Sequence, residues 1–199
     1  HELIKRADIV IHNFPPSLSQ KFGLDYASAK NLKTDVIYCS ITGFGSGAGA
    51  AMPGYDLLVQ AMGGLMSVTG PAPGHPTKVG VALVDVITGM HATIGILAAL
   101  NHRNLSGEGQ EIEVNLLSSL LSAMVNQASS FVSGGVVPGI LGNAHPSISP
   151  YEVYQTLDRS IVIAVGNDGQ FVKLCAELGI PEIANDERFT TNPDRVAHR

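Results

Sequence analysis

Short β-branched runs alternate with longer segments of helical period along this chain. Ala7 to Ile11 and Val36 to Ile41 are two such runs, and the polar-apolar stretch from Ser17 to Leu32 lies between them. Strand, helix, strand with apolar strands predicts a parallel α/β sheet covered on both faces. Pro15 and Pro16 end the first strand, and Ser17 stands where a cap for the following helix is expected. Gly43 to Gly54, glycine-rich and holding Pro53, reads as a loop. A helix is predicted over Tyr55 to Met66, with Leu57, Leu58, Ala61, Met62 and Leu65 as its apolar positions. After a Pro-Gly loop at residues 70–76, Val79 to Val84 reads as a short strand or extended entry into the longest helix, Asp85 to Asn101.

That helix carries Ile87, Met90, Ile94 and Leu97 on one face. A small-residue stripe of Gly89, Ala92, Gly95 and Ala99 on another allows a backbone or ligand to approach closely. A turn at Ser106 to Gly109, a strand at Gln110 to Val114 and a helix at Leu116 to Val132 follow. Beyond a loop from Gly134 to Pro150, a strand at Ile161 to Val165 and a helix at Gln170 to Leu178 are expected. The opening residues read like the tail of a helix and the last ones like an unfinished stretch, so a piece of a longer chain is expected.

Composition narrows the function classes. The 199 residues are 45% hydrophobic, enough for a real core, and 12 basic against 17 acidic residues leave a net charge of −5. With no basic cluster, nucleic acid is not the expected partner. Cys39 and Cys175 match no metal or redox spacing and read as buried thiols in a reducing compartment, without a disulfide. The apolar runs Val81 to Val84 and Ile94 to Leu100 are too short to cross a bilayer, so no membrane span is expected. The expected location is the cytoplasm, or the mitochondrial matrix in a eukaryote.

Gly45 to Ala50 matches a weak dinucleotide fingerprint, but Pro53 interrupts the helix that motif needs and no acid follows at the ribose distance. A loop that covers a ligand fits better. The seven histidines, His1, His12, His75, His91, His102, His145 and His198, show no ligand spacing, and no metal site is expected. Carboxylates remain. Asp85 sits where an apolar segment becomes the longest helix, which would set a desolvated carboxylate beside free backbone amides. A plain N-cap accounts for the same spacing. Asp56 opens the previous helix in the same manner, 29 residues earlier.

The order of several segments then resembles the class III CoA-transferases, the CaiB and BaiF family. They are Ala7 to Phe14 (Ala-Asp-Ile-Val-Ile-His-Asn-Phe), Ser40 to Gly45, Gly54 to Gly70 with its Gly-Tyr-Asp-Leu-Leu-Val-Gln start, Gly80 to Gly89 around Asp85, and Gly107 to Gln110. The resemblance covers essentially the whole chain. It implies an α/β family III fold, a partial Rossmann-like parallel sheet flanked by helices and leading into a second, smaller domain. Residues 1–115 would be part of the large CoA-binding domain, 116–150 a linker helix and loop, and 151–199 the start of the small domain. It also implies Asp85 as catalytic nucleophile, Asp56 as an assisting acid, and Asn13, Phe14 and Tyr55 as CoA contacts. No cofactor is permanently bound; coenzyme A enters as an acyl-CoA substrate, with a carboxylic acid as acceptor. An interlocked homodimer is implied as well.

In the racemases of this fold a His occupies the Tyr55 position, because proton abstraction from both faces needs two bases. A phenol, with an ordinary pKa of about 10, is a poor base at neutral pH, which favours transferase over racemase or epimerase. A non-catalytic CoA-binding module is the remaining alternative. Asn115 to Ser119 and Gly142 to Tyr151 look closest to enzymes using succinyl-CoA and a dicarboxylate such as glutarate, and the tetraglycine loop of formyl-CoA transferases is not seen. Gly43 to Gly49 or Gly142 to Tyr151 would cover the site.

Overall fold

The computed structural model describes residues 1–199 and divides into two compact units: residues 1–68 with 77–138, and residues 69–76 with 139–199. In the first unit, α1 (Glu2–Arg6) runs into β1 (Ile9–His12), followed by α2 (Pro16–Lys21), α3 (Tyr26–Leu32) and β2 (Ile37–Thr42). Then come α4 (Asp56–Met62), α5 (Leu65–Val68), α6 (Leu83–Ser106), β3 (Glu111–Asn115), α7 (Leu116–Ala123) and α8 (Val125–Gly134). The three strands form one parallel sheet in the order β1-β2-β3, with Ile9 opposite Ile37 and Tyr38 opposite Glu111. The expected α/β architecture is therefore present.

Alternation along β2 explains the layering, since successive side chains point to opposite faces. Ile37 and Cys39 face Ala92, Ile96 and Ala99 of α6, while Val36 and Tyr38 face Ile4 and Ala29 of α1 and α3. The stripe of α6 that meets the sheet thus includes the small residues Ala92 and Ala99 together with Ile96, while Gly89 lies exposed. Met90, Ile94 and Leu97, on the bulky face, are 60%, 62% and 58% exposed. A small-residue face lets helix and sheet approach until Gly95 has no room for more: a Cβ there would stand 3.0 Å from Ile112 Cγ2. Contrary to the reading of its apolar runs, α6 is long and apolar enough to cross a membrane. Here its inner face belongs to the core of an α/β unit.

Several local expectations change. The 17–32 helix is two helices, because Gly23 turns left-handed at φ +62° and Asp25, accepting from the Ser28 amide at 3.1 Å, caps a new start. Pro15, not Ser17, occupies the first N-cap, since Pro16 suits the position after it. Residues 79–82 form no strand. The 116–132 helix breaks between Met124 and Val125, where Val125 has φ +26°.

The second unit holds an antiparallel pair, β4 (Tyr151–Gln155) and β5 (Ser160–Ala164), then α9 (Asp168–Glu177), a 3-10 turn (Pro181–Asn185) and α10 (Asn192–Ala197). Its core joins Val165, Phe171 and Cys175. Arg195, 2% exposed, ties this unit together. It donates to Ser149 O at 2.9 Å, Phe189 O at 2.8 Å and Asp168 Oδ1 at 2.6 Å, and lies over the Phe171 ring at 4.5 Å.

Candidate active site

Parallel strands deliver their following loops to one edge of a sheet. Asn13 and Phe14 follow β1, the glycine-rich segment 43–54 follows β2, and Asn115 closes β3. Because α6 leads back to the start of β3, it runs against the strands and its first turn reaches that same edge. Arg103 in its last turn marks the direction, donating to the carbonyls of Asp8 and Asp35 at the opposite edge (3.3 and 3.4 Å). Open parallel α/β sheets bind ligands at the carboxyl edge.

Two glycines close the base of the 43–54 loop. A Cβ on Gly43 would stand 2.5 Å from Gly54 Cα, and one on Gly54 2.6 Å from Gly43 Cα, so no larger residue passes there. This crossing sets Tyr55 and Asp56 beside the end of β2. Tyr55 is the N-cap residue of α4 and leaves its ring 69% exposed.

Asp56 opens α4 in sequence but caps a different helix in space. Its Oδ2 accepts from the Val84 amide at 2.8 Å and the Asp85 amide at 3.2 Å, the unsatisfied donors at the start of α6. Its Oδ1 accepts from Gln60 Nε2 at 2.5 Å, and fully buried Gln60 accepts from the Val79 amide at 2.9 Å. Leu83 N bonds Val81 O and Val86 N bonds Ala82 O. The amides expected to be free beside Asp85 are therefore engaged.

Asp85 itself is not an N-cap. Ala82 holds that position, and Asp85 lies in the first turn of α6, exposed to solvent. Because Asp56 supplies the cap from α4, the Asp85 carboxylate is left accepting no hydrogen bond. Partial desolvation, and after it the negative charge of Asp56, hold the Asp85 carboxyl above the usual carboxylate range. The side chain is thus less buried than its sequence position suggested, yet its proton affinity moves in the direction a nucleophile needs.

Asn13 and Phe14 are exposed just past β1, and the Phe14 ring, 44% exposed, stacks on His12 with centroids 5.6 Å apart. The structure thus gathers Tyr55, Asp56 and Asp85 around one helix start and sets Asn13 and Phe14 along the same sheet edge. Gln60 escaped the sequence reading; its signal was a polar residue four positions after Asp56 on an otherwise apolar helix face.

Fold and site together define an α/β domain that presents the Asp85 carboxylate, free of hydrogen bonds, at the carboxyl edge of a parallel sheet. The model of CoA-transferase family III matches residues 1–199, and the chain belongs to that family. It is 50% identical over 198 residues to a succinate–glutarate CoA-transferase of Agrobacterium fabrum, covering 99% of this chain and 50% of that protein. It is 38% identical to the succinyl-CoA:glutarate CoA-transferase of Mus musculus, covering all of this chain and 46% of the mouse protein. Among solved structures, a CaiB/BaiF family protein from Brucella suis superposes with a TM-score of 0.83 at 46% identity, over 99% of this chain and 52% of that one. The chain spans about half the length of the curated relatives it matches.

Proposed function

We propose that the protein carrying this chain moves coenzyme A from an acyl-CoA thioester, succinyl-CoA in the first instance, to a dicarboxylic acid of the glutarate class, through a covalent intermediate on Asp85. The Asp85 carboxylate attacks the thioester carbonyl; the C–S bond breaks, leaving a mixed anhydride and CoA thiolate. The thiolate then attacks the Asp85 carbonyl, expels the donor acid and forms an aspartyl thioester. The acceptor carboxylate displaces the thiolate to give a second anhydride, and thiolate attack on the acceptor carbonyl releases the new acyl-CoA and restores Asp85.

The observation that carries this reading is the contrast between the two acids: Asp56 is held by three hydrogen bonds, whereas Asp85 accepts none and has a raised pKa. With the α6 amides occupied, the developing oxyanion falls to donors of the 43–54 loop, where Gly47 has open space around it. Anhydride and thioester both hydrolyse in water, so the same loop is proposed to close over them. Tyr55 favours transfer over racemisation for the reason given from the sequence. We read the assembly as an interlocked homodimer; the exposed Val86, Met90, Ile94 and Leu97 stripe of α6 is an apolar surface of the kind that such interfaces cover.

The test is trapping in the full-length protein. Succinyl-CoA followed by hydroxylamine should convert Asp85 to its hydroxamate, read by peptide mass spectrometry, and Asp85→Asn should fold yet lose transfer by several orders of magnitude. Label on another residue with Asp85 unmodified, or normal turnover by Asp85→Asn, rejects the assignment.

A further inference from the structure

His12 lies between the sheet and the Asn13–Phe14 turn, and its hydrogen bonds leave no freedom in its tautomer. The Phe14 amide donates to His12 Nδ1 at 3.1 Å, so that nitrogen must be unprotonated. On the other side His12 Nε2 lies 2.7 Å from the Tyr38 hydroxyl, which itself donates to the Leu24 carbonyl. The hydroxyl proton is therefore committed to Leu24, and His12 must supply the Nε2 proton. The chain runs one way, from Phe14 N–H through a neutral imidazole and the phenol to Leu24. We propose that His12 is a positioning residue that holds the Asn13–Phe14 turn in its coenzyme A-binding form only while neutral, so that protonation of His12 loosens CoA binding. This rests on the reading of Asn13 and Phe14 as CoA contacts.

Protonating Nδ1 would set two N–H groups against each other over 3.1 Å and break the bond that fixes the turn. The surroundings favour the neutral ring. Tyr38, 2% exposed, faces His12 from β2, with the Tyr26 ring of α3 tilted against it at 5.7 Å. The charged groups around this network are Asp25, before α3, Glu111 of β3, and Lys30 of α3, whose Nζ lies 5.7 Å over the Tyr26 ring; burial first, then the two acids, push the Tyr38 phenol up to about 12, so it remains a donor throughout. Desolvation alone acts on His12 and lowers its pKa below the usual value. The turn is accordingly intact at neutral pH and released as the pH falls through the His12 pKa.

The Phe14 ring, stacked on His12 and partly exposed, links this clamp to a ligand with an aromatic base and phosphates. If the protonated form does not bind, the Kd for CoA rises about tenfold for each pH unit below the His12 pKa. The phosphate monoester of CoA itself titrates near pH 6, so the comparison needs an internal reference. His12→Asn supplies it, because an Asn side-chain oxygen can accept from the amide two residues on and does not titrate.

The experiment is calorimetric titration of the full-length protein with CoA at about pH 8 and about pH 5, for wild type, His12→Asn and Phe14→Ala, alongside amide exchange of the 9–16 segment. The ratio of the two Kd values should be at least about threefold larger in wild type than in His12→Asn. Equal ratios overturn the proposal. Phe14→Ala separates the two layers of the argument: unchanged CoA affinity in that variant rejects the turn as a CoA contact. The clamp itself is judged by exchange, where protection of the Phe14 amide should fall on acidification in wild type and not in His12→Asn. The same acid response in both proteins refutes it.

Discussion

Replacing Asp56 by alanine removes the cap of a helix 28 residues away, and the cost can be worked from its partners. Two amides of α6, on Val84 and Asp85, lose their acceptor; loss of a helix N-cap costs about 1 kcal/mol. Gln60 Nε2, in a side chain with no exposure, loses its only acceptor, and an unsatisfied buried donor costs about 1–3 kcal/mol. The sum is about 2–4 kcal/mol. Asp56→Asn is informative because it keeps the shape. Polarity along the chain is fixed: Val79 N–H donates to Gln60 Oε1, Gln60 Nε2 donates to Oδ1 and the α6 amides donate to Oδ2. An amide at position 56 puts one NH2 where only acceptors fit, and flipping Gln60 moves the mismatch to Val79. Asparagine should therefore recover only part of the loss. Urea unfolding of the full-length protein measures the total, and hydrogen exchange of the 79–90 segment localises it. An Asp56→Ala protein within about 0.5 kcal/mol of wild type, or unchanged exchange at 84 and 85, would refute the capping argument.

Other outcomes follow from the same geometry. The raised Asp85 pKa places the acidic limb of the transfer rate above the ordinary carboxylate value of 3.8, and a limb at or below that value contradicts the environment described. The linkage runs the same way: an acid whose folded pKa is raised weakens the fold as pH rises from 3.8 to that folded value. Asp85→Asn should thus gain stability on wild type across that window and keep the advantage above it, by melting point. Gly54→Ala forces a methyl to 2.6 Å from Gly43 Cα and should cut transfer by about a hundredfold through displaced Tyr55 and Asp56, with far-ultraviolet circular dichroism little changed. Arg195→Ala strips the acceptors Ser149 O, Phe189 O and Asp168 of their shared donor and should destabilise the second unit by about 2–4 kcal/mol, read by proteolysis between residues 139 and 199.

Much of the first unit was legible because β1 and β2 are largely apolar runs, β3 alternates Ile112 and Val114 with polar residues, and α6 is a long apolar helix of 24 residues. Which face of α6 turns inward was not. Periodicity marks two stripes, one bulky and one small, and packing against the sheet buries Ala92, Ile96 and Ala99. The break at Gly23 had a signal in Gly-Leu-Asp, glycine for the left-handed turn and Asp for the cap. At Met124–Val125 no glycine or proline gives warning. β4 was missed because Glu152 and flanking polar residues weaken its pattern; it is specified by pairing with β5, Val153 opposite Val162. Asp85 and Asp56 could be singled out as acids at helix starts, but the hydrogen bonds that separate them join elements far apart in the chain.

That separation decides how two similar acids at one helix start take different work. A carboxylate has a limited number of acceptor positions, and each one engaged by a fixed amide ties it further to the backbone. Asp56 receives three such bonds, from Gln60, Val84 and Asp85, which makes it a brace rather than a reagent. Asp85 receives none. Its main chain is nevertheless held in place, because its own backbone amide is one of the groups that Asp56 grips. The brace therefore acts twice on its neighbour, fixing the main chain beneath Asp85 and raising its proton affinity through charge. A neutral hydrogen-bonding replacement at position 56 would remove the second effect together with part of the first. Asp56→Asn should accordingly move the acidic limb of the rate to lower pH while lowering its plateau. A fall in the plateau with the limb unmoved would show that charge on Asp56 plays no part in the chemistry.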